Sequence, residues 1–344
     1  MANTSPAFIL HTLSIALGKS NALWLLRSTN MSSLRLVKTL WGVEEPISPA
    51  LFRSIASEGY SGVEVIALAW NTDEAQRTLV QSANEANLAV VCQIHTSGGY
   101  LSDATGHGEY VYVGSAKCDD HIADMEKQVA TCCHLLGQVQ KGGFINVHAG
   151  VDAWTMEESI QFLTAASHLA SKSPFKVVIE THRQRLFGSP FATRDILSRP
   201  EIAQLKGLRL NADLSHWFVA CERVFDPSEA RDADWWPKLL KGVAERCDYV
   251  HGRLGFAQGP QIADPSATEY DKDVQLQLNN WVQIWKHQIA NGAMECWCSP
   301  ELGPQPYMPS IPHTQKDVAS LPEAVIWTKK KIEETFMKEI GESR

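Results

Sequence analysis

At 344 residues, with 44% hydrophobic and 20% charged side chains, the chain has enough apolar material for a substantial core, and disorder over most of its length is excluded. A net charge of -8 and the lack of any Lys/Arg block before Lys329, Lys330 and Lys331 argue against a nucleic-acid partner. No uninterrupted apolar stretch is long enough to span a bilayer, so no membrane partner is expected and the protein should be soluble.

Residues 1–33 carry Lys19 and Arg27, no acidic side chain, and the apolar stretches FILHTLSIAL and ALWLL. A secretory leader places its positive charge before the apolar run, and here that order is reversed. The segment therefore reads as an N-terminal extension, transit-like or dispensable ahead of Met31. The expected location is cytoplasmic, with organellar targeting by residues 1–33 left open. The cysteines at 92, 118, 132, 133, 221, 247, 296 and 298 include no CxxC pair, which fits reduced thiols in an intracellular protein. Cys296 and Cys298 read as alternate small apolar residues of a strand.

From residue 34 the chain alternates short β-like runs with longer stretches of helical spacing. The runs are LRLVKTLW (34–41), GVEVIAL (62–68), LAVVCQIH (88–95), GFINVHAG (143–150), KVVIETH (176–182), LRLNADLSH (208–216), CDYVHGRLG (247–255) and AMECWCSPEL (293–302). Helical periodicity falls at 48–59, 72–86, 119–138, 155–171, 237–246, 273–290 and 320–339. Parallel neighbours need long return connections, so this alternation predicts an α/β fold, a single (β/α)8 TIM barrel over residues 34–344. A doubly wound open sheet is the rival, but KTLWGVEEP is not the glycine-rich turn that normally follows its first strand. The proline-rich stretch SPELGPQPYMPSIPHT (299–314) predicts an ordered loop forming a lid or wall at one mouth.

Active sites of such barrels gather at the carboxyl ends of the strands. Runs two to eight carry, in order, Glu64, His95, His148, Glu180, Asp213, His251 and Glu301, about one βα unit apart. Glu180, Asp213, His251 and Glu301 make a set of three carboxylates and one imidazole, which suits Mn2+, Mg2+ or Co2+ better than a thiolate-preferring zinc site. Side chains two apart share a strand face, so Glu180 pairs with His182, Asn211 with Asp213, His251 with Arg253, Gln93 with His95, and Asn146 with His148. Inside a barrel such pairs are costly unless they bind one another, a metal or a ligand.

On these residues, and on ETHRQRLF (180–187), DLSHW (213–217), HGRLGFAQGPQ (251–261) and SPELGPQPYMPSIP (299–312), the chain resembles the xylose isomerase-like TIM-barrel superfamily, in particular its sugar phosphate isomerases/epimerases. The resemblance runs from about residue 34 to 340 and implies one divalent metal, Mn2+ foremost with Mg2+, Co2+ or Zn2+ as alternatives, on Glu180, Asp213, His251 and Glu301. The D-x-x-H motif at Asp213–His216 implies a histidine near a substrate oxygen. Two departures stand out at His251-Gly252-Arg253. The stretch lacks the Asp-x-His that metal-dependent AP endonucleases need for a third metal, and Arg253 stands where many sugar epimerases have an acidic or neutral group.

The implied reaction is isomerisation or epimerisation of a sugar or sugar-like polyol through an enediolate, with Glu180 and Glu301 as the acid/base pair. His182 and His216 would orient hydroxyls, Arg253 or Arg183 would meet an anionic or polar end, and His148, His95 and Glu64 would complete the substrate site. Simpler roles compete: Glu64 paired with Lys38, Arg183 and Arg185 as solvated loop charges, and Trp41, Trp70, Trp154 and Trp217 packing rather than stacking on a sugar. A lyase or dehydratase on a related cyclic polyol or acid, and a non-catalytic sugar-binding barrel, are the alternative functions. The expected partner is a small molecule, and homo-oligomerisation is open.

Overall fold

The computed structural model describes residues 32–66, 71–96 and 115–341, with the strands Gly99–Ser102 and Gly108–Val111 between them. Residues 1–31 of the N-terminal extension, and Trp70, lie outside the described residues. Eight parallel strands close into a barrel: β1 Ser33–Thr39, β2 Gly62–Ile66, β3 Ala89–His95, β4 Gly143–His148, β5 Lys176–Glu180, β6 Arg209–Ala212, β7 Cys247–His251 and β8 Glu295–Ser299. Each coincides with one of the eight apolar runs, β1 beginning one residue ahead of its own. Pairing of β1 with β8, from Ser33↔Glu295 to Leu36↔Cys298, closes the ring and excludes the open sheet.

The return helices are α1 Pro49–Ser57, α2 Asp73–Ala86, α3 Cys118–Leu136, α4 Met156–Lys172, α5 Pro190–Leu197, α6 Pro200–Ala203, α7 Ser215–Ala220, α8 Ala230–Ala233, α9 Trp236–Ala244, α10 Asp271–Ala290 and α11 Leu321–Phe336. Local chemistry sets their starts. The side chains of Ser48, Thr72, Ser189 and Ser320 accept from backbone amides of the first turn, and Thr155 forms a capping box with Glu158. Asn87, left-handed at φ 55°, ends α2. The sequence did not announce α5 to α8, because segments of one or two turns are too short to display a helical period.

The strands are buried on both faces, as β3 shows with every residue buried. Outward side chains pack under the helices in the main core, where Cys296 and Cys298 lie as free thiols. Inward ones form a second layer of Val37, Val91, Phe144, Val178 and Tyr249, with Trp297 against it. This layer floors the barrel, and the polar strand ends stand above it. Lys329, Lys330 and Lys331 lie on α11 in ion pairs with Glu333 and Glu334. No helix among the described residues is long and apolar enough to cross a membrane.

Candidate active site

Strand periodicity carries the apolar floor into a polar mouth. Two-residue steps run Phe144, Asn146, His148 on β4; Val178, Glu180, His182 through β5; Tyr249, His251, Arg253 through β7; and Trp297, Ser299, Glu301 through β8. Register aligns these levels around the ring, with His95↔His148, Glu180↔Asn211 and Ser299↔His251.

Glu180, Asp213 and His251, all fully buried, offer ligand atoms within 4.8 Å of one another. Glu180 Oε2 accepts from Asn146 Nδ2 at 2.7 Å and Asn211 Nδ2 at 3.3 Å, and lies 2.9 Å from His148 Nε2. Its Oε1 is buried without a hydrogen-bond partner. Asp213 Oδ1 accepts from the Ser215 hydroxyl at 2.5 Å and amide at 3.1 Å, and Oδ2 accepts from Arg253 Nε at 3.0 Å. Arg253 also donates from Nη2 to Glu301 Oε2.

Glu64 stands behind His251, away from the mouth. Its Oε2 accepts from Tyr249 OH and lies 2.9 Å from His251 Nε2, while Oε1 accepts from Asn146 at 3.0 Å. A carboxylate can only accept, so His251 Nε2 carries the proton and Nδ1 faces the site. Nδ1 lies 2.8 Å from Glu301 Oε2 and 3.4 Å from Glu180 Oε2, but without hydrogen-bond alignment.

Electrostatics follow from burial opposed by these contacts. Burial disfavours the His251 imidazolium, yet Glu301, Glu64 and Glu180 together hold its pKa well above the usual histidine range. Burial raises Asp213 to about 6, with Glu301 and Glu180 adding to it and Arg253 opposing. Burial also works against a charged Glu180, but His148 and His251 prevail and keep it well below the carboxylate range. Glu301 is lowered, burial being outweighed by Arg253 and His251.

Four histidines form a row across the mouth, with ring centroids 4.3 Å apart for His95–His148, 4.5 Å for His148–His182 and 3.9 Å for His182–His216. Desolvation lowers His95 and His216 well below the usual value and His182 to about 3, so these three are neutral. His182 donates from Nδ1 to the Arg183 carbonyl at 2.6 Å, and His148, Glu180 and His182 form a second group able to hold a metal.

Tyr307, from the proline-rich stretch, makes that stretch a wall of the mouth. Its ring meets Trp41 edge-on at 4.8 Å, and the guanidinium of Arg253 lies over it at 4.7 Å and that of Arg183 at 5.1 Å. Arg253 also lies 5.4 Å over Trp41. Gly303 permits this packing, since a Cβ there would stand 2.1 Å from the Trp41 ring.

Two simpler expectations are corrected. Lys38 does not pair with Glu64: β1–β2 register puts Lys38 beside Val63 and Thr39 beside Glu64, so Lys38 faces outward, 5.5 Å over the Tyr60 ring. Arg185 is not a solvated loop charge but 1% exposed, donating to the carbonyls of Thr96 at 3.1 Å and Gly150 at 3.2 Å. Among the tryptophans, Trp41 lines the mouth, whereas Trp154 packs on His121 and Phe162 and Trp217 is wholly buried, donating to the Phe187 carbonyl. Thr181 faces away from the mouth, its hydroxyl bracing β5 to the Asp213 carbonyl. Sequence reasoning missed Tyr249 and Tyr307. The two-residue step back from His251 signals Tyr249, but no local pattern signals Tyr307.

The residues fit the divalent cation that the sequence resemblance implies. Four carboxylates, Glu64, Glu180, Asp213 and Glu301, are each 3% exposed or less, and among the described residues Arg253 is the one arginine paired with any of them, His251 being the other counter-charge. So large a buried negative excess calls for further positive charge. Glu180 Oε1 has no partner, and His251 presents Nδ1 while Glu64 holds Nε2, the arrangement in which a carboxylate orients a metal-ligating histidine.

This is a barrel with a polar, charge-dense mouth at the carboxyl ends of its strands, the enzyme arrangement of the (β/α)8 class. No protein-family model and no curated protein matches the chain. Among solved structures it is similar to a D-allulose 3-epimerase from Methylomonas sp. in complex with D-allulose, at 13% identity and TM-score 0.52, over 88% of this chain and 98% of that one. It is likewise similar to a xylose isomerase-like TIM barrel protein from Mycobacterium smegmatis in complex with magnesium, at 10% identity and TM-score 0.51, over 90% and 98%. A sugar phosphate isomerase/epimerase from Parabacteroides distasonis also matches, at 10% identity and TM-score 0.45, over 90% and 99%. The first two likenesses show that the chain shares its closed (β/α)8-barrel fold with these proteins.

Proposed function

We propose that the protein is a divalent-metal-dependent isomerase or epimerase that moves a proton next to the carbonyl of a sugar or sugar-like polyol. The observation that carries this reading is the pair Glu180 and Glu301, two buried carboxylates at the ends of different strands, both reaching His251 Nδ1 (3.4 and 2.8 Å) in a mouth whose negative charge exceeds its own cations. Glu180, Asp213, His251 and Glu301 would hold the metal. When bound, Mg2+ or Mn2+ supplies Lewis acidity that favours the enediolate.

The other roles belong to the chain itself. One of Glu180 and Glu301, as the carboxylate, takes the proton from carbon; the other, having taken up a proton from solvent, delivers it to the opposite face, and the first releases its own proton to solvent to reset the pair. The stacked His182 and His216 bind hydroxyls as neutral imidazoles. Glu64 holds the His251 tautomer, and Trp41 and Tyr307 wall the mouth against water.

The test is incubation of the Mg2+- or Mn2+-loaded protein with ketoses, aldoses and inososes in D2O, followed by NMR of the recovered sugars. Deuterium should appear at the carbon next to the carbonyl with wild type and not with Glu180→Gln or Glu301→Gln. No incorporation with any substrate, or equal incorporation by both variants, rejects proton transfer. A product that has lost water assigns the lyase reaction instead.

A further inference from the structure

We infer that the substrate carries an anionic end group, a carboxylate or a phosphate, held by Arg183 together with the unpaired Nη1 of Arg253. The inference deepens the proposed function and rests on reading this mouth as a substrate site.

The donors of the mouth are incompletely used. Arg253 is 3% exposed; Nε and Nη2 are committed to Asp213 and Glu301, but Nη1 is buried with no hydrogen-bond partner. His216 is 0% exposed, and neither ring nitrogen makes a hydrogen bond, the nearest carboxylate oxygen being Asp213 Oδ2 at 3.5 Å. Buried donors of this kind are rarely left without an acceptor. Arg183 adds a full charge. Its guanidinium faces the same Tyr307 ring as Arg253, and among the described residues no carboxylate lies within ion-pair distance of it.

Glu180 and Glu301 stand over the barrel floor, against His251, while Arg183 and Tyr307 form the outer wall. Arg253 Nη1 and His216 border the carboxylates, Arg253 bridging Asp213 and Glu301 and His216 lying 3.5 Å from Asp213, and a substrate reaching past them along the Tyr307 ring would meet Arg183. A hydroxyl can accept from such donors but brings a proton of its own, whereas a carboxylate or phosphate oxygen only accepts and meets the guanidinium charge as well. The flat fork of arginine matches either anion.

The probes are D-gluconate, D-sorbitol 6-phosphate and D-sorbitol, which share a polyol chain and differ in the end group. Each is titrated calorimetrically into full-length wild type and Arg183→Gln at one fixed Mg2+ concentration. We expect wild type to bind at least one anion about tenfold or more tighter than sorbitol, and Arg183→Gln to lose about tenfold of that preference, the scale of one charge-assisted hydrogen bond, with sorbitol affinity within about twofold. Affinity of the anions for free Mg2+ is the same in both titrations, so the difference between the proteins belongs to Arg183. Preference for gluconate alone assigns a carboxylate, and for the phosphate alone a phosphate; either supports the inference. Equal binding of all three probes, or a preference that survives in Arg183→Gln, overturns it. Deuterium incorporation is read separately. Selective anion binding without hydrogen exchange would sink the proton-transfer reading and leave this one standing, and exchange without anion preference would do the reverse.

Discussion

Arg253→Met should destabilise the metal-free protein strongly and make it lean on a divalent cation. The guanidinium is buried, donates to Asp213 Oδ2 at 3.0 Å and to Glu301 Oε2, and lies over the rings of Trp41 and Tyr307. Methionine keeps much of the volume and removes the charge, leaving two carboxylates in a mouth that already holds Glu180 and Glu64. Removing one partner of a buried pair costs about 3–5 kcal/mol, most of it the penalty of the charge left behind. A metal at about one hundred times its Kd returns about 2.7 kcal/mol, and more if the variant binds it tighter than wild type does. The assay is urea unfolding of both proteins in EDTA and in Mg2+. A variant as stable as wild type in EDTA would refute the assignment of Arg253 as the internal counter-charge. A variant that gains no more from Mg2+ than wild type would refute the view that arginine and metal neutralise the same carboxylates.

Glu64→Gln should weaken Mn2+ binding by about 10- to 100-fold, the usual effect of removing the group that orients a ligating histidine. Its amide would have to face Tyr249 OH, Asn146 Nδ2 or His251 Nε2, all donors in the native arrangement, and calorimetry with an unchanged Kd would contradict the role given to Glu64. Trp217→Ala removes a wholly buried indole and its 2.8 Å bond to the Phe187 carbonyl, and should cost about 3–5 kcal/mol in urea unfolding. Asp226, bonded to Ser228 and to Lys272 at 2.9 Å, has its pKa lowered from 3.8 to about 2, chiefly by the Ser228 hydroxyl and Lys272. Its contribution is present above about pH 4 and lost as pH falls through about 2, so Asp226→Asn should flatten the acid limb of the stability curve in that window. An unchanged acid limb would place the loss on other carboxylates.

Much of the barrel was legible because its signals are local. A buried parallel strand is a short apolar run, a return helix has its own period and cap, and a strand end facing a site shows a polar residue two steps beyond an apolar one. Thus Val178 and Glu180, or Tyr249 and His251, can be placed on one face before any fold is known. The partners of those polar groups were not legible. Glu64 could be read as pairing with Lys38, and only the β1–β2 register, which turns Lys38 outward, sends the carboxylate to His251, 187 residues away. Arg185 follows a charged turn in sequence, yet closure of the ring brings the Thr96 and Gly150 carbonyls over it and buries it.

By itself the sequence determined the eight strands, their order of alternation with helices, and the carboxylate or imidazole that stands on or just beyond each strand from β2 to β8, since alternation along a chain is a property of neighbouring residues. The tertiary structure alone decided that Arg253 bridges Asp213 and Glu301, that Glu64 holds His251, and that Tyr307 closes the mouth. Those contacts depend on register and barrel closure, which bring together side chains dozens to hundreds of residues apart, and no local spacing encodes which of them will meet.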